Sequence, residues 1–230
     1  VHFIPLALVL ALAIMRWPPF VAIFLGALAG GVLAVVDAPD RVTAFAGPGP
    51  DGSAPVLVLP TPSFGVYPIQ AACHGWRIEA VPLRDDYRFD GQATLDAARR
   101  MDARMILLAS PNNPTGACAD DAFYERTLEL AKRYDILVCH DAVYSEIAYD
   151  GYKPRSILEF DKDKKYCLEF HSLSKTYCMT GWRIGFAVGC ADGIYNLGKL
   201  KTNIDSGAFQ AIQHAGIEAL TGSQSSVAEL

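Results

Sequence analysis

Apolar positions in this chain gather in short continuous runs separated by mixed stretches rich in Gly, Pro and charge. Val56 to Leu59, Ile78 to Val81, Met105 to Ala109, Ile136 to His140 and Cys167 to His171 are such runs, and their length and sharp boundaries predict buried strands. Arg183 to Val188 reads as a further strand after a short connection. Asp120 to Tyr134 follows another rhythm: an Asp stands at its start, and Phe123, Leu128 and Ala131 recur near helical spacing. That pattern predicts a crossover helix. Asp192 to Leu200 and Ala208 to Leu220 read as helices that close the visible part of the fold. Strands alternating with helices predict an α/β fold with a mostly parallel, doubly wound sheet and right-handed crossovers.

The first forty residues break this pattern. Phe3 to Met15 is almost wholly apolar, Arg16-Trp17-Pro18-Pro19 interrupts it, and Phe20 to Val36 is a second apolar run rich in Gly and Ala. The second run is about the minimum length for a membrane span, and the first is too short to cross alone. A hydrophobic helical hairpin with membrane contact through residues 3–36 is the expectation. A cleaved leader is poorly supported, because the start is not basic and the apolar tract is doubled. Gly47-Pro48-Gly49-Pro50-Asp51-Gly52-Ser53-Ala54-Pro55 then reads as a linker or a join. The expected division is therefore 1–40 membrane-like, 41–55 linker or fusion join, and 56–230 an incomplete α/β domain. Val1 at one end and Glu229-Leu230 at the other read as the edges of a fragment.

Composition narrows the function classes. The chain has 230 residues, 51% of them hydrophobic, enough for one domain of ordinary size. A net charge of −5 gives no reason to expect nucleic acid. The six cysteines, at 73, 118, 139, 167, 178 and 190, contain no C-x-x-C pair. They read as reduced thiols of a cytoplasmic protein, with neither a disulfide framework nor a metal site.

Three polar clusters follow three of the expected strands. Ala109-Ser110-Pro111-Asn112-Asn113-Pro114-Thr115-Gly116 follows the first, His140-Asp141-Ala142-Val143-Tyr144-Ser145-Glu146 the second, and His171-Ser172-Leu173-Ser174-Lys175-Thr176-Tyr177 the third. The last runs on through Met179-Thr180-Gly181-Trp182-Arg183-Ile184-Gly185. Clusters just beyond the carboxyl ends of strands lie where open α/β sheets bind ligands. Ser172, Ser174 and Arg183 around Lys175 suit a phosphate-bearing aldehyde: hydroxyls and a guanidinium fork for the phosphate, and an amine to condense with the carbonyl. Each residue also has a plainer reading. Asp141 reads equally as a helix N-cap, Tyr144 as a core aromatic and Asn113 as turn chemistry, while Cys178 reads best as a small buried thiol.

Taken together, these motifs make residues of roughly 56 to 221 resemble the large domain of class I/II aminotransferases, the fold type I pyridoxal-phosphate enzymes. Within that family, His171 to Gly189 and Lys199 to Gln213 look most like LL-diaminopimelate aminotransferases. The resemblance implies pyridoxal 5'-phosphate as cofactor. It implies that Lys175 forms the Schiff base and later serves as general base, and that Asp141 pairs with the pyridinium nitrogen. Tyr144 and Asn113 would bond the phenolic oxygen, Phe64 would stack on the ring, and Ser172, Ser174 and Arg183 would hold the phosphate. Catalysis would rest on Lys175, Asp141 and Tyr144. The implied substrates are an amino acid, with LL-diaminopimelate favoured, and a 2-oxo acid such as 2-oxoglutarate, and the implied assembly is a homodimer. A C-S β-lyase shares the Lys, Asp and Tyr, and an inactive chimera that binds the cofactor at most is the alternative outside turnover. Residues 1–40 instead resemble the amino-terminal hairpin of an NhaC-type Na+/H+ antiporter. The family's glycine-containing phosphate loop and its substrate-gripping arginine have no counterpart in the sequence.

Overall fold

The computed structural model describes residues 52–229. The apolar segment 3–36, with its expected hairpin and its antiporter resemblance, lies outside the described residues. Among the described residues no helix is long and apolar enough to cross a membrane. The chain divides into a larger unit, of which 52–194 and 209–229 are described, and a second whose described part is Tyr195–Ala208.

Among the described residues six strands form one sheet: β1 (Val56–Thr61), β2 (Arg77–Pro82), β3 (Met105–Ala109), β4 (Leu137–Asp141), β5 (Cys167–Ser172) and β6 (Gly185–Gly189). Their order across the sheet is β2-β1-β3-β4-β5-β6. The first five are parallel, with Leu57 opposite Met105, Ala109 opposite Asp141, and Asp141 opposite Phe170. Val58, Ile106, Leu108 and Val138 are fully buried, which is why these strands read as unbroken apolar runs.

The sixth strand runs antiparallel to β5, with Ser172 opposite Gly185 and Leu168 opposite Gly189. The connection from Leu173 to Ile184 contains only a single helical turn, α4 (Leu173–Thr176), and a 3-10 turn at Thr180–Trp182. It holds no helix long enough to lie across the sheet, and the chain reverses. A side chain at Gly189 would collide with the Cys167 carbonyl, and Gly189 sits at φ +144°. Glycine is therefore required where the two strands close up.

The helices before α4 are α1 (Val66–Cys73), α2 (Gly91–Arg100) and α3 (Asp121–Tyr134); α5 (Ala191–Ile204), α6 (Gln210–Thr221) and α7 (Ser225–Ala228) follow β6. Helix α3 is the crossover foreseen: Asp120 is its N-cap and accepts from Phe123 N–H at 2.8 Å, and Phe123, Leu128 and Ala131 are buried. It packs with α2 on one face of the sheet, where Phe89, Leu95, Phe123, Tyr124 and Ile157 fill the main core. Helix α6 meets the β5–β6 connection, Gly216 lying against Ile184 and Leu173. In the second unit, Asn203 Nδ2 donates to Lys199 O at 2.7 Å and Lys201 pairs with Asp205 at 2.6 Å.

Candidate active site

Because β1, β3, β4 and β5 are parallel, the segments after them emerge on one edge of the sheet. Strand β1 crosses to β2 on one side, and the chain then returns to β3 on the other. This edge is thus the side of a topological switch, where α/β sheets open a crevice. The crevice is a cleft of about 300 Å³ lined by Phe64, Asn113, Asp141, Tyr144, Ser172, Ser174, Lys175 and Arg183, with Tyr67 and Thr180 among its other walls. All eight residues singled out from the sequence therefore meet in one place.

Each is set by its local fold. Asp141 is the last residue of β4, so it is no helix N-cap; its Oδ1 accepts weakly from Val143 N–H at 3.3 Å. Its Oδ2 accepts a short hydrogen bond from the Tyr67 hydroxyl. Burial first, and then the Asp141 carboxylate, push the Tyr67 phenol well above its ordinary range, so the hydroxyl keeps its proton and stays a donor. Tyr144 faces the cleft and not the core, and its hydroxyl accepts from Asn113 Nδ2 at 3.3 Å.

Lys175 sits in α4, directly after β5, with Nζ 5.6 Å from the centre of the Tyr144 ring. That ring contact is the only interaction of its side chain among the described residues. Ser172 caps α4, its Oγ accepting from Ser174 N–H at 3.1 Å, which leaves the hydroxyl proton available to another acceptor. Arg183 adopts φ +54° and donates from Nη1 to the Thr180 carbonyl at 2.9 Å, while the remaining N–H groups of its fork have no partner among the described residues. Thr180 in turn donates from Oγ1 to the Ser174 carbonyl at 3.1 Å. Phe64, after β1, is 42% exposed and meets Tyr67 edge to face at 5.5 Å.

The arrangement places a primary amine, a carboxylate, a phenol and a cluster of hydroxyl and guanidinium donors around one small volume. Such a set binds a ligand that is anionic at one end and electrophilic at the other.

Sequence reasoning missed several supporting residues. Asn112 is buried; it donates from Nδ2 to Pro62 O at 2.9 Å and to Thr115 Oγ1 at 2.8 Å, and accepts from Ser63 Oγ at 3.0 Å. It ties the loop after β1 to the loop after β3. Tyr67, His140 and Glu169 were likewise passed over, since none gains a partner until the strands are laid side by side. The expectation for Cys178 is corrected: it is exposed and sits at φ +53°, a tight turn outside the core. No cluster of His, Cys, Asp or Glu suited to a metal ion occurs among the described residues.

Comparison with known proteins gives a consistent picture. The family model for aminotransferase class I and II matches residues 43–230. The chain is 47% identical over 178 residues to the LL-diaminopimelate aminotransferase of Halothermothrix orenii, and 48% identical to that of Moorella thermoacetica. Each match takes in 76% of this chain and 45% of the relative, so the chain spans a little under half the length of these curated relatives. Among solved structures, a probable N-succinyldiaminopimelate aminotransferase from Thermus thermophilus superposes with a TM-score of 0.72 at 33% identity, covering 81% of this chain and 49% of that one. An aminotransferase from Staphylococcus aureus does so with a TM-score of 0.72 at 31% identity, over 82% and 49%.

Proposed function

Since the chain belongs to the class I and II aminotransferase family, we propose that it is the cofactor-holding part of an enzyme that moves an amino group between an amino acid and a 2-oxo acid. LL-diaminopimelate and 2-oxoglutarate are the favoured pair, because the relatives at 47% and 48% identity are named LL-diaminopimelate aminotransferases. The observation that carries the reading is the convergence of Lys175, Asp141, Tyr144 and the Ser172, Ser174 and Arg183 donors on one cleft.

This donor set fits pyridoxal 5'-phosphate. When bound, that group supplies an aldehyde for amines and a ring that accepts electrons from the substrate. Ser172, Ser174 and the free edge of Arg183 would hold the phosphate by charge-assisted hydrogen bonds. The Asp141 carboxylate, kept in place by Tyr67, would accept the ring N–H. Tyr144 and Asn113, already bonded to each other, would take the phenolic oxygen, and Phe64 would cover the ring face. Lys175 Nζ, whose one contact among the described residues is the Tyr144 ring, would attack a carbonyl and take the proton from the substrate Cα. We assign this role to residues 56–230, and a homodimer belongs to the same proposal.

The test is an absorbance spectrum of the chain with added pyridoxal 5'-phosphate, followed by borohydride reduction and peptide mapping. The expected result is a visible band and a pyridoxyl group on Lys175, both lost in Lys175→Ala. A reduced adduct on the same peptide in Lys175→Ala would refute the assignment.

A further inference from the structure

Behind the cleft, on the side chains that alternate with its walls, lies a buried polar cluster. His140 precedes Asp141 on β4 and is fully buried. Its Nδ1 lies 2.9 Å from Glu169 Oε2, and its Nε2 lies 2.8 Å from the carbonyl oxygen of Ser110. The carbonyl can only accept. The Glu169 carboxylate is itself surrounded by donors: Ser156 Oγ reaches both its oxygens at 3.0 and 2.8 Å, Ile157 N–H reaches Oε2 at 3.0 Å, and His171 Nε2 lies 2.7 Å from Oε1. A carboxylate that collects this many donors is the ionised form, and it too only accepts.

A neutral imidazole carries one N–H and one lone pair. In this setting one nitrogen of His140 would then point a lone pair at an oxygen lone pair, either 2.8 or 2.9 Å away. A buried glutamate charge also needs a cation close by, because an uncompensated one is expensive in a medium of low dielectric. The other titratable groups of the cluster do not fill that place as well. Tyr124, which burial keeps protonated, donates to Ser110 Oγ at 3.1 Å, a closer contact than the 3.4 Å to His140 Nε2. His171 turns only one nitrogen to an acceptor, Glu169 Oε1, which a single N–H satisfies, and its ring stacks on Phe186 at 4.8 Å.

We propose that His140 is a buried imidazolium paired with Glu169, and that this ion pair positions the cleft by pinning the carboxyl ends of β3, β4 and β5. Ser110 lies directly after β3 and leads into Asn112 and Asn113. His140 is joined to Asp141 on β4. Glu169 and His171 on β5 lead into Ser172 and Lys175. One pair thus fixes the three segments that carry the proposed cofactor contacts. It acts through Asp141 and Ser172 and touches neither cofactor nor substrate.

The first test does not depend on the cofactor and so separates this inference from the proposed function on which its positioning part rests. In the full chain labelled with 15N-histidine, imidazole NMR at about pH 8, above the ordinary histidine value of about 6.5, should show two N–H groups on His140. The assignment is made by their loss in His140→Gln. A single N–H on His140 would overturn the ion pair. The second test measures retention of pyridoxal 5'-phosphate by absorbance titration in Glu169→Gln and in the double variant His140→Gln/Glu169→Gln, which carries no buried charge if the single change fails to fold. Dissociation constants should rise about tenfold, the scale on which groups supporting a ligand shell act, with unchanged far-UV circular dichroism. Folded variants that retain the cofactor as the parent chain does would overturn the positioning role.

Discussion

Tyr67 and Asn112 show how residues without reactive chemistry come to govern the cleft. Tyr67 donates a hydrogen bond to Asp141 Oδ2 and so fixes the orientation of the carboxylate at the cleft. Tyr67→Phe should leave the fold intact, because only the hydroxyl is removed. Cofactor affinity should fall by about 1.5–3 kcal/mol, the scale of a hydrogen bond to a charged group, and an absorbance titration would read it. Glu169 makes a prediction in pH. Burial alone would raise its carboxyl, but hydrogen bonds from His140, His171 and Ser156 outweigh it and hold the group well below the usual carboxylate range. Its folded value is thus below its unfolded value. The stabilisation is fully present above the ordinary glutamate value of about 4.3 and is lost as pH falls below it. Urea unfolding between neutral and acid pH should show this loss, and Glu169→Gln should flatten it. At this scale the sequence displayed Lys175, Asp141 and Arg183, because each stands in a compact polar motif that follows an apolar run. Tyr67, Asn112, His140 and Glu169 were hidden because each has a partner far off in the chain: Asp141, Pro62 and Ser63, Glu169, and His140 in turn.

Among the elements, the six strands were legible to within a residue or two. Strands buried on both faces leave continuous apolar runs, and β1, β3, β4 and β5 are of that kind. Besides the single turns α4 and α7, two longer helices were not seen. Helix α1 has Gly65 at its N-cap with no side-chain bond, and Pro68 within its first turn, so it carries no start signal. Helix α2 did carry one, since Asp90 accepts from Ala93 N–H at 2.9 Å, but its buried residues Thr94, Leu95, Ala97 and Ala98 are mostly small and make a faint apolar stripe. The direction of β6 was not legible, since its apolar run alone does not distinguish a parallel strand from an antiparallel one. Within that connection, Cys178 occupies the left-handed region at φ +53°, which asparagine tolerates better than cysteine. Cys178→Asn should therefore stabilise the fold by on the order of 1 kcal/mol, measured as a shift in the urea midpoint. An unchanged or lowered midpoint would show that the turn gains nothing from the amide.

At the scale of the whole molecule, the placement of the cysteines gives an independent check on the sheet. Cys139 and Cys167 are buried, on β4 and β5, and burial pushes the Cys139 thiol up to about 12 and the Cys167 thiol well above its usual range. Cys73 and Cys178 are exposed. A thiol reagent at about pH 8, near the ordinary cysteine value, should label the exposed pair quickly and the buried pair only after unfolding. Rapid labelling of Cys139 in the folded chain would contradict the strand order. The segment that bears both Lys175 and Arg183 has a consequence of its own. It is closed at its base by the Ser172–Gly185 pairing and by Leu173 N–H to Ile184 O at 3.2 Å, and braced within by Thr180 and Arg183. Such a loop opens as one cooperative piece. Its amides should exchange with solvent at a common rate, and the amine and the guanidinium then leave the cleft in the same event, so that neither anchor outlasts the other.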